Sequence, residues 1–223
     1  MVLLLLYDLN KILEEIMSIK IRKAIVSDSP FLAQMILQSS RAGKKVGIFD
    51  LIFETNDDAV ILNKLEILTQ TKAKTHCHFS NFLIAELDEK SVGTLSSYEP
   101  RIATKEAFID ALNEVGCGEH ISESLEVLYD CDFGLNKRTL MFDFMEELEG
   151  FIDVGILKTL MQKSLLTARL KGYRIGQTLV EIGSLETLLF YKKLGFKVVA
   201  EKESELYKEK FGRAGLVLLA IEF

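Results

Sequence analysis

The 223 residues suit one domain able to bury a substantial core, and 48% hydrophobic with 27% charged residues argue against wholesale disorder. A formal charge of −6 at pH 7 argues against a large nucleic-acid footprint, because phosphate binding is driven mainly by Lys and Arg. Three scattered cysteines (Cys77, Cys117, Cys131) describe no disulfide framework, so a reducing cytoplasm is the simplest location.

The run Val2 to Leu6 is too short to span a membrane and lacks a basic flank or a small-residue cleavage site. Tyr7 to Ile16 then continues as an amphipathic helix with Leu9, Ile12, Leu13 and Ile16 on one face. Either Met17 is the natural start or residues 1–16 are an appended docking helix. Ile19 to Ile25 alternates as a strand, and Ser27 to Pro30 cap a helix whose buried face is Phe31, Leu32, Met35 and Ile36. An apolar run around Asp50 follows, and Asp57 or Asp58 caps a further helix through Leu68. His76, Cys77 and His78 are possible metal ligands in isolation, but no second cluster completes a four-ligand site, and no metal is expected.

His78 to Leu87 and Ser91 to Tyr98, separated by Asp88, Glu89 and Lys90, read as a hairpin. Polar residues crowd its far end at Ser96, Ser97, Tyr98 and Glu99. In residues 101–132, Phe108, Leu112, Ile121, Leu125 and Leu128 have helical spacing, broken at Gly116 and Gly118. From Arg138 to Phe196 the pattern is strand (Leu140 to Leu148), break at Gly150, helix (Gly155 to Leu170), strand (Ile175 to Ile182) and a helix ending at Gly195. Such a β-α-β-α unit presents backbone N–H groups and the positive end of a helix to a phosphate-bearing ligand. A strand from Lys197 to Glu201, a charged connection from Lys202 to Arg213 and a strand from Leu216 to Phe223 complete the chain. The absence of GxGxxG and GxxxxGK[ST] disfavours other nucleotide-binding α/β folds.

The stretch Arg138 to Phe196 resembles motifs A and B of the GNAT acyltransferases, the acetyl-CoA-dependent N-acetyltransferase superfamily. Their pattern is a strand ending in Val-x-Pro, then Arg/Gln-x-x-Gly-x-Gly/Ala, a helix, a strand, an Asn-containing turn and a closing helix. Here Glu147 and Glu149 stand at the Val and Pro, Ile152 at the Arg/Gln, and Gly155 and Leu157 at the middle and last glycines. Ser184 takes the place of the Asn, and Leu188, Tyr191, Gly195 and Phe196 follow the closing helix. The segment from Met17 is similar to the family's first strand and helix, and Ala85 to Gly93 to its central hairpin.

The resemblance implies an α/β (α+β) GNAT acyl-CoA N-acyltransferase fold over residues 17–223, with a mixed sheet of about seven strands, helices on both faces and a helical insertion at 101–132. It implies transfer of acetyl from acetyl-CoA to a primary amine, small or peptidic, by direct attack. Met145, Glu146 and Glu147 occupy the positions that pair with the pantetheine arm. Asp153, Val154, Gly155, Ile156, Leu157 and Lys158 occupy the pyrophosphate loop, and Ser184 the turn before the closing helix. Asp153 puts an anion near the phosphates, a contact costing ~1–4 kcal/mol. Tyr191 is the candidate acid for the departing thiolate, with a packed helix-end tyrosine as the alternative. The base is Asp143, Glu146 or a water chain. Asp50 and Tyr98 are candidates for contacting the acceptor. The altered loop leaves open a second reading, a GNAT-fold interaction module with weakened or lost catalysis. The N-terminal helix and the final strand offer surfaces for a homodimer.

Overall fold

The computed structural model describes residues 19–117, 121–134, 139–152 and 154–223. The N-terminal segment 1–16, Met17, Gly118, Arg138 and Asp153 lie outside the described residues. Seven strands form one sheet in the order β1-β2-β3-β4-β5-β7-β6. They are β1 (Lys20–Lys23), β2 (Phe82–Leu87), β3 (Lys90–Tyr98), β4 (Leu140–Glu147), β5 (Ile175–Glu181), β6 (Lys197–Glu203) and β7 (Gly215–Glu222). All neighbours are antiparallel except β4 and β5.

Between β1 and β2 lie α1 (Ser29–Arg41), α2 (Ile48–Ile52) and α3 (Asp58–Leu68). The Asp57 side chain caps α3 by accepting from Ala59 N. The hairpin of β2 and β3 turns on Asp88 and Glu89, both at positive φ (49° and 62°), which matches the right-handed strand twist. Its first strand begins at Phe82 rather than His78, because residues 79–81 form a 3-10 turn with His78 at its N-cap. The segment 101–132 supplies α4 (Lys105–Glu114) and α5 (Ile121–Tyr129), and β4 is followed by α6 (Ile156–Leu170). After β5 comes α7 (Leu185–Lys193). The charged connection holds a helix that the sequence pattern does not reveal, α8 (Glu205–Phe211), capped by Ser204 Oγ and closed by Gly212. Among the described residues no helix is long and apolar enough to cross a membrane.

Alternation along the strands sends side chains into two cores. Phe82 and Ile84 meet α1, α3, α4 and α5 on one face, while Ala85, Leu95 and Leu140 meet α6 and α7 on the other. One residue resets this alternation. Along β4, Thr94 and Ser96 of β3 pair with Glu146 and Asp143, so three residue steps oppose two, and Phe144 takes a φ of 46°. This is a β-bulge. Phe142 therefore packs with the α6 face and Phe144, two residues later, with the α1 face.

Candidate active site

The cleft follows from where β4 and β5 pair and where they cease to. Only Leu140 with Gly176, Met141 with Gln177 and Phe142 with Thr178 are in register. Among the described residues no strand pairs with that edge of β4 between Asp143 and Glu146, which leaves backbone groups that an extended ligand can pair with. The bulge sits at this point of divergence. Its freed N–H, that of Phe144, is taken by Asp143 Oδ1 at 2.8 Å, and Thr94 Oγ1 donates to the Phe144 carbonyl at 3.1 Å.

The Asp143 carboxyl is largely desolvated, and burial pushes its pKa up to about 6 despite the bond from Phe144 N. Glu146, further along the open stretch, is also raised by burial, with bonds from Gln38 and Ser39 opposing the shift. Gln38 of α1 holds this part of β4, donating to Glu146 Oε2 at 2.9 Å and to the Glu147 carbonyl at 3.0 Å. Tyr191, on α7, comes to the same place from the other side of the gap. Its ring is 4% exposed and packs edge-on to Phe196 at 5.2 Å, with Thr178 Oγ1 3.5 Å from its hydroxyl. Burial pushes the phenol well above its ordinary pKa, and the charges of Asp143 and Glu146 push the same way. It is thus a protonated donor at neutral pH, within the electrostatic reach of both carboxyl groups.

Tyr98 also feels the charge of Asp143, and burial raises its pKa well above the ordinary value. Its ring lies 5.7 Å from that of His76, which in turn stacks on Phe144 at 5.6 Å and contacts Phe108 at 4.7 Å. Burial lowers the His76 pKa to about 4, so it is neutral in this apolar cage. His76 and Gln38 belong to the site's surroundings although no sequence pattern points to either in that role. His76 sits in a loop and Gln38 on a helix, 108 residues before its partner Glu146.

Of the remaining candidates, the Met145 side chain packs into the α6 core. Gly155 precedes α6 with φ 90°, a conformation suited to glycine, and nothing lies within 4 Å of where a Cβ would stand. Among the described residues no side chain caps the first N–H groups of α6. Ile156 is fully buried, its Cγ2 seated against Gly93, while Leu157 is half-buried. Lys158, Val154 and Ile152 are exposed, the last at 58%. Ser184 is the N-cap of α7 without a side-chain capping bond. Asp50 is 4% exposed and its oxygens are engaged internally, by Arg41 at 2.7 and 3.2 Å and by Gly47 N at 2.8 Å. It thus anchors the start of α2. Among the described residues no group of three or more His, Cys, Asp or Glu is placed to hold a metal ion.

No family model matches this sequence, and no curated protein matches it. Solved structures do. An N-acetyltransferase from Staphylococcus aureus Mu50 superposes with a TM-score of 0.66 at 17% identity over 91% of this chain and 100% of its own. A GCN5-related N-acetyltransferase from Kribbella flavida gives a TM-score of 0.58 at 15% identity over 92% and 98%. The PaiA N-acetyltransferase from Thermoplasma acidophilum, solved in complex with coenzyme A, gives 0.51 at 17% over 93% and 100%. With its mixed seven-stranded sheet, parallel only where β4 meets and leaves β5, this chain has the fold of the GNAT N-acetyltransferases.

Proposed function

We propose that this protein is an N-acetyltransferase that moves acetyl from acetyl-CoA to a primary amine by direct attack. The observation that carries the reading is the divergence of β4 from β5 beyond Phe142, with Asp143, Glu146 and the protonated Tyr191 gathered at the opening. The edge of β4 that turns away from β5 at Met145 suits the amide groups of a pantetheine arm, with Glu147 at the end of the same stretch. Gly155 and the uncapped N–H groups of α6 suit a pyrophosphate. Coenzyme A in the Thermoplasma structural neighbour supports the same donor. Asp143 takes a proton from the acceptor ammonium, with Glu146 as the second carboxylate. The amine nitrogen bonds to the thioester carbonyl carbon and gives its second proton to Glu146, the C–S bond breaks, and Tyr191 gives its proton to the departing thiolate, to be reprotonated from solvent. Such a donor places the reaction in the cytoplasm, where free Cys77, Cys117 and Cys131 are also at home.

A second reading is favoured by one observation. Ile152, at the position of the family's Arg or Gln, is exposed and brings no donor to a phosphate. In that reading the chain is a GNAT-fold binding module with weakened chemistry. Calorimetric titration with acetyl-CoA, followed by thiol-release assays on a panel of small amines and peptides, separates the two. Saturable binding with amine-dependent thiol release is expected. Binding without release selects the module, and no binding at millimolar acetyl-CoA overturns both.

A further inference from the structure

A second cavity lies at the opposite end of the sheet from the β4/β5 opening. Its volume is about 270 Å³, and it sits between the last residues of β3, the first residue of β4 (Leu140) and the C-terminal half of α6 (Ser164 to Lys171). The helix Ile156–Leu170 separates the two ends, and at 1.5 Å per residue its length is about 22 Å. The volume is close to the lower end of small-molecule pockets, so a compact ligand fits and a coenzyme does not.

The chemistry of the walls is specific. Lys23, Lys74 and Lys171 line the cavity, and none of the three forms a salt bridge among the described residues. Glu99 is the one carboxylate on the lining, and it is already paired with Arg101. In a chain of net charge −6, three ammonium groups and the single carboxylate of Glu99 around one hollow leave a local positive excess, although Glu99 offsets part of the charge of Lys171. Inside, Ser97 Oγ and Ser164 Oγ stand 2.7 Å apart, with Ser164 only 3% exposed. Two hydroxyls carry two O–H donors and their mutual bond uses one, so the other is available to an acceptor in the cavity. Phe82, Leu140 and Ala168 supply apolar wall, alongside the polar side chains of Asn81 and Thr167 and the ring of Tyr98.

We propose that this cavity binds a small organic anion, an apolar body carrying a carboxylate or phosphate, at a site that shares Tyr98 with the surroundings of the acetyl-transfer cleft. The apolar body lies against Phe82, Leu140 and Ala168, and the anionic group faces the lysines and the free hydroxyl of the serine pair. Titration of the isotopically labelled protein with phenylacetate, phenyl phosphate and inorganic phosphate, followed by NMR, tests this. Saturable shifts at the Ser97, Ser164 and Lys171 amides are expected with at least one of the two aromatic anions, and which of them binds more tightly tells carboxylate from phosphate. Inorganic phosphate, lacking the apolar body, should bind at least tenfold more weakly. The Lys74→Ala, Lys171→Ala double variant changes exposed side chains only and should weaken the aromatic anion about tenfold or more, equal to ~1.4 kcal/mol. Ser164→Ala should weaken it without altering the acetyl-CoA isotherm. No shifts at millimolar probe, shifts confined to the β4/β5 opening, or affinity unchanged in the lysine variant overturns the proposal.

Discussion

Asp143 and His76 flank the Phe144 bulge, and folding displaces their titrations in ways that oppose each other. Asp143 is held at about 6 against an ordinary 3.8, so between those values the native state keeps a proton that the unfolded chain has lost. Stability therefore falls as pH rises through that window. His76 is held at about 4 against 6.5, so in its window the unfolded chain carries the extra proton and stability rises with pH. The two effects largely cancel between about pH 4 and 6. In the Asp143→Asn variant the histidine limb is no longer opposed by Asp143. Denaturant titrations should then show a steeper gain in stability from pH 4 to 6.5 than in the parent, and a more stable protein above pH 6. Parallel curves would mean that Asp143 titrates normally. The same residue as catalytic base predicts that turnover rises through pH 6 in the parent. Tyr191 is tested by removing one oxygen. Tyr191→Phe loses only the long contact to Thr178, so the fold and acetyl-CoA affinity should hold while turnover drops by ~10²-fold or more, the usual span for a positioned acid. Equal loss of affinity and turnover would point to a packing role.

At the scale of elements, the seating of α6 against the sheet depends on one missing side chain. A Cβ on Gly93 would stand 2.6 Å from Ile156 Cγ2 and 3.0 Å from the Glu146 carbonyl, inside contact distance of both. Gly93→Ala therefore presses on the first turn of α6 and on the open stretch of β4 together. The expected cost is about 1–3 kcal/mol, read by chemical denaturation, with weaker acetyl-CoA binding in calorimetry. Adding Ile156→Ala removes the nearer obstacle, so the double variant should be more stable than the sum of the single changes. Strict additivity would refute the contact. The unit from β4 to α7 is the most legible part of the sequence, its helix and strand ends falling within a residue or two of the pattern, because glycines at 155, 172, 183 and 195 punctuate it and all take positive φ. Two features are silent. The bulge at Phe144 leaves no trace in Phe-Asp-Phe, since its positive φ is imposed by the pairing of β3 with β4. The helix Glu205–Phe211 buries Tyr207 alone, so it shows no apolar stripe. In the candidate site, Asp143 and Tyr191 are legible because each lies on the patterned unit. Gln38 and His76 are not, because their roles arise from contacts across the fold.

For the whole molecule, the opening that makes a cleft also weakens the sheet at its middle. Three residue pairs join the half built from β1 to β4 to the half built from β5 to β7. A polar clasp compensates at the far end of β5. Lys44, in the loop after α1, reaches Glu181, whose Oε1 also accepts from the Tyr207 hydroxyl at 2.8 Å while Arg213 lies 3.5 Å from Oε2. The Lys44 ammonium also stands 5.1 Å from the ring centroid of Phe211. Glu181, Tyr207 and Arg213 all belong to the second half, so Lys44 is the member that ties it to the first. Lys44→Ala leaves Glu181 paired and creates no isolated buried charge, which limits the penalty. A lost bond to a charged group is worth ~1.5–3 kcal/mol, or a fall in Tm of roughly 3–12 °C for a chain of this size. Hydrogen exchange should locate the effect. Amides of α8 and of the last residues of β5 should exchange faster in the variant, while those of β2 and β3 stay as protected as in the parent. Uniform acceleration across both halves would show that they unfold as one unit, and no change in either half would show that Lys44 does not join them.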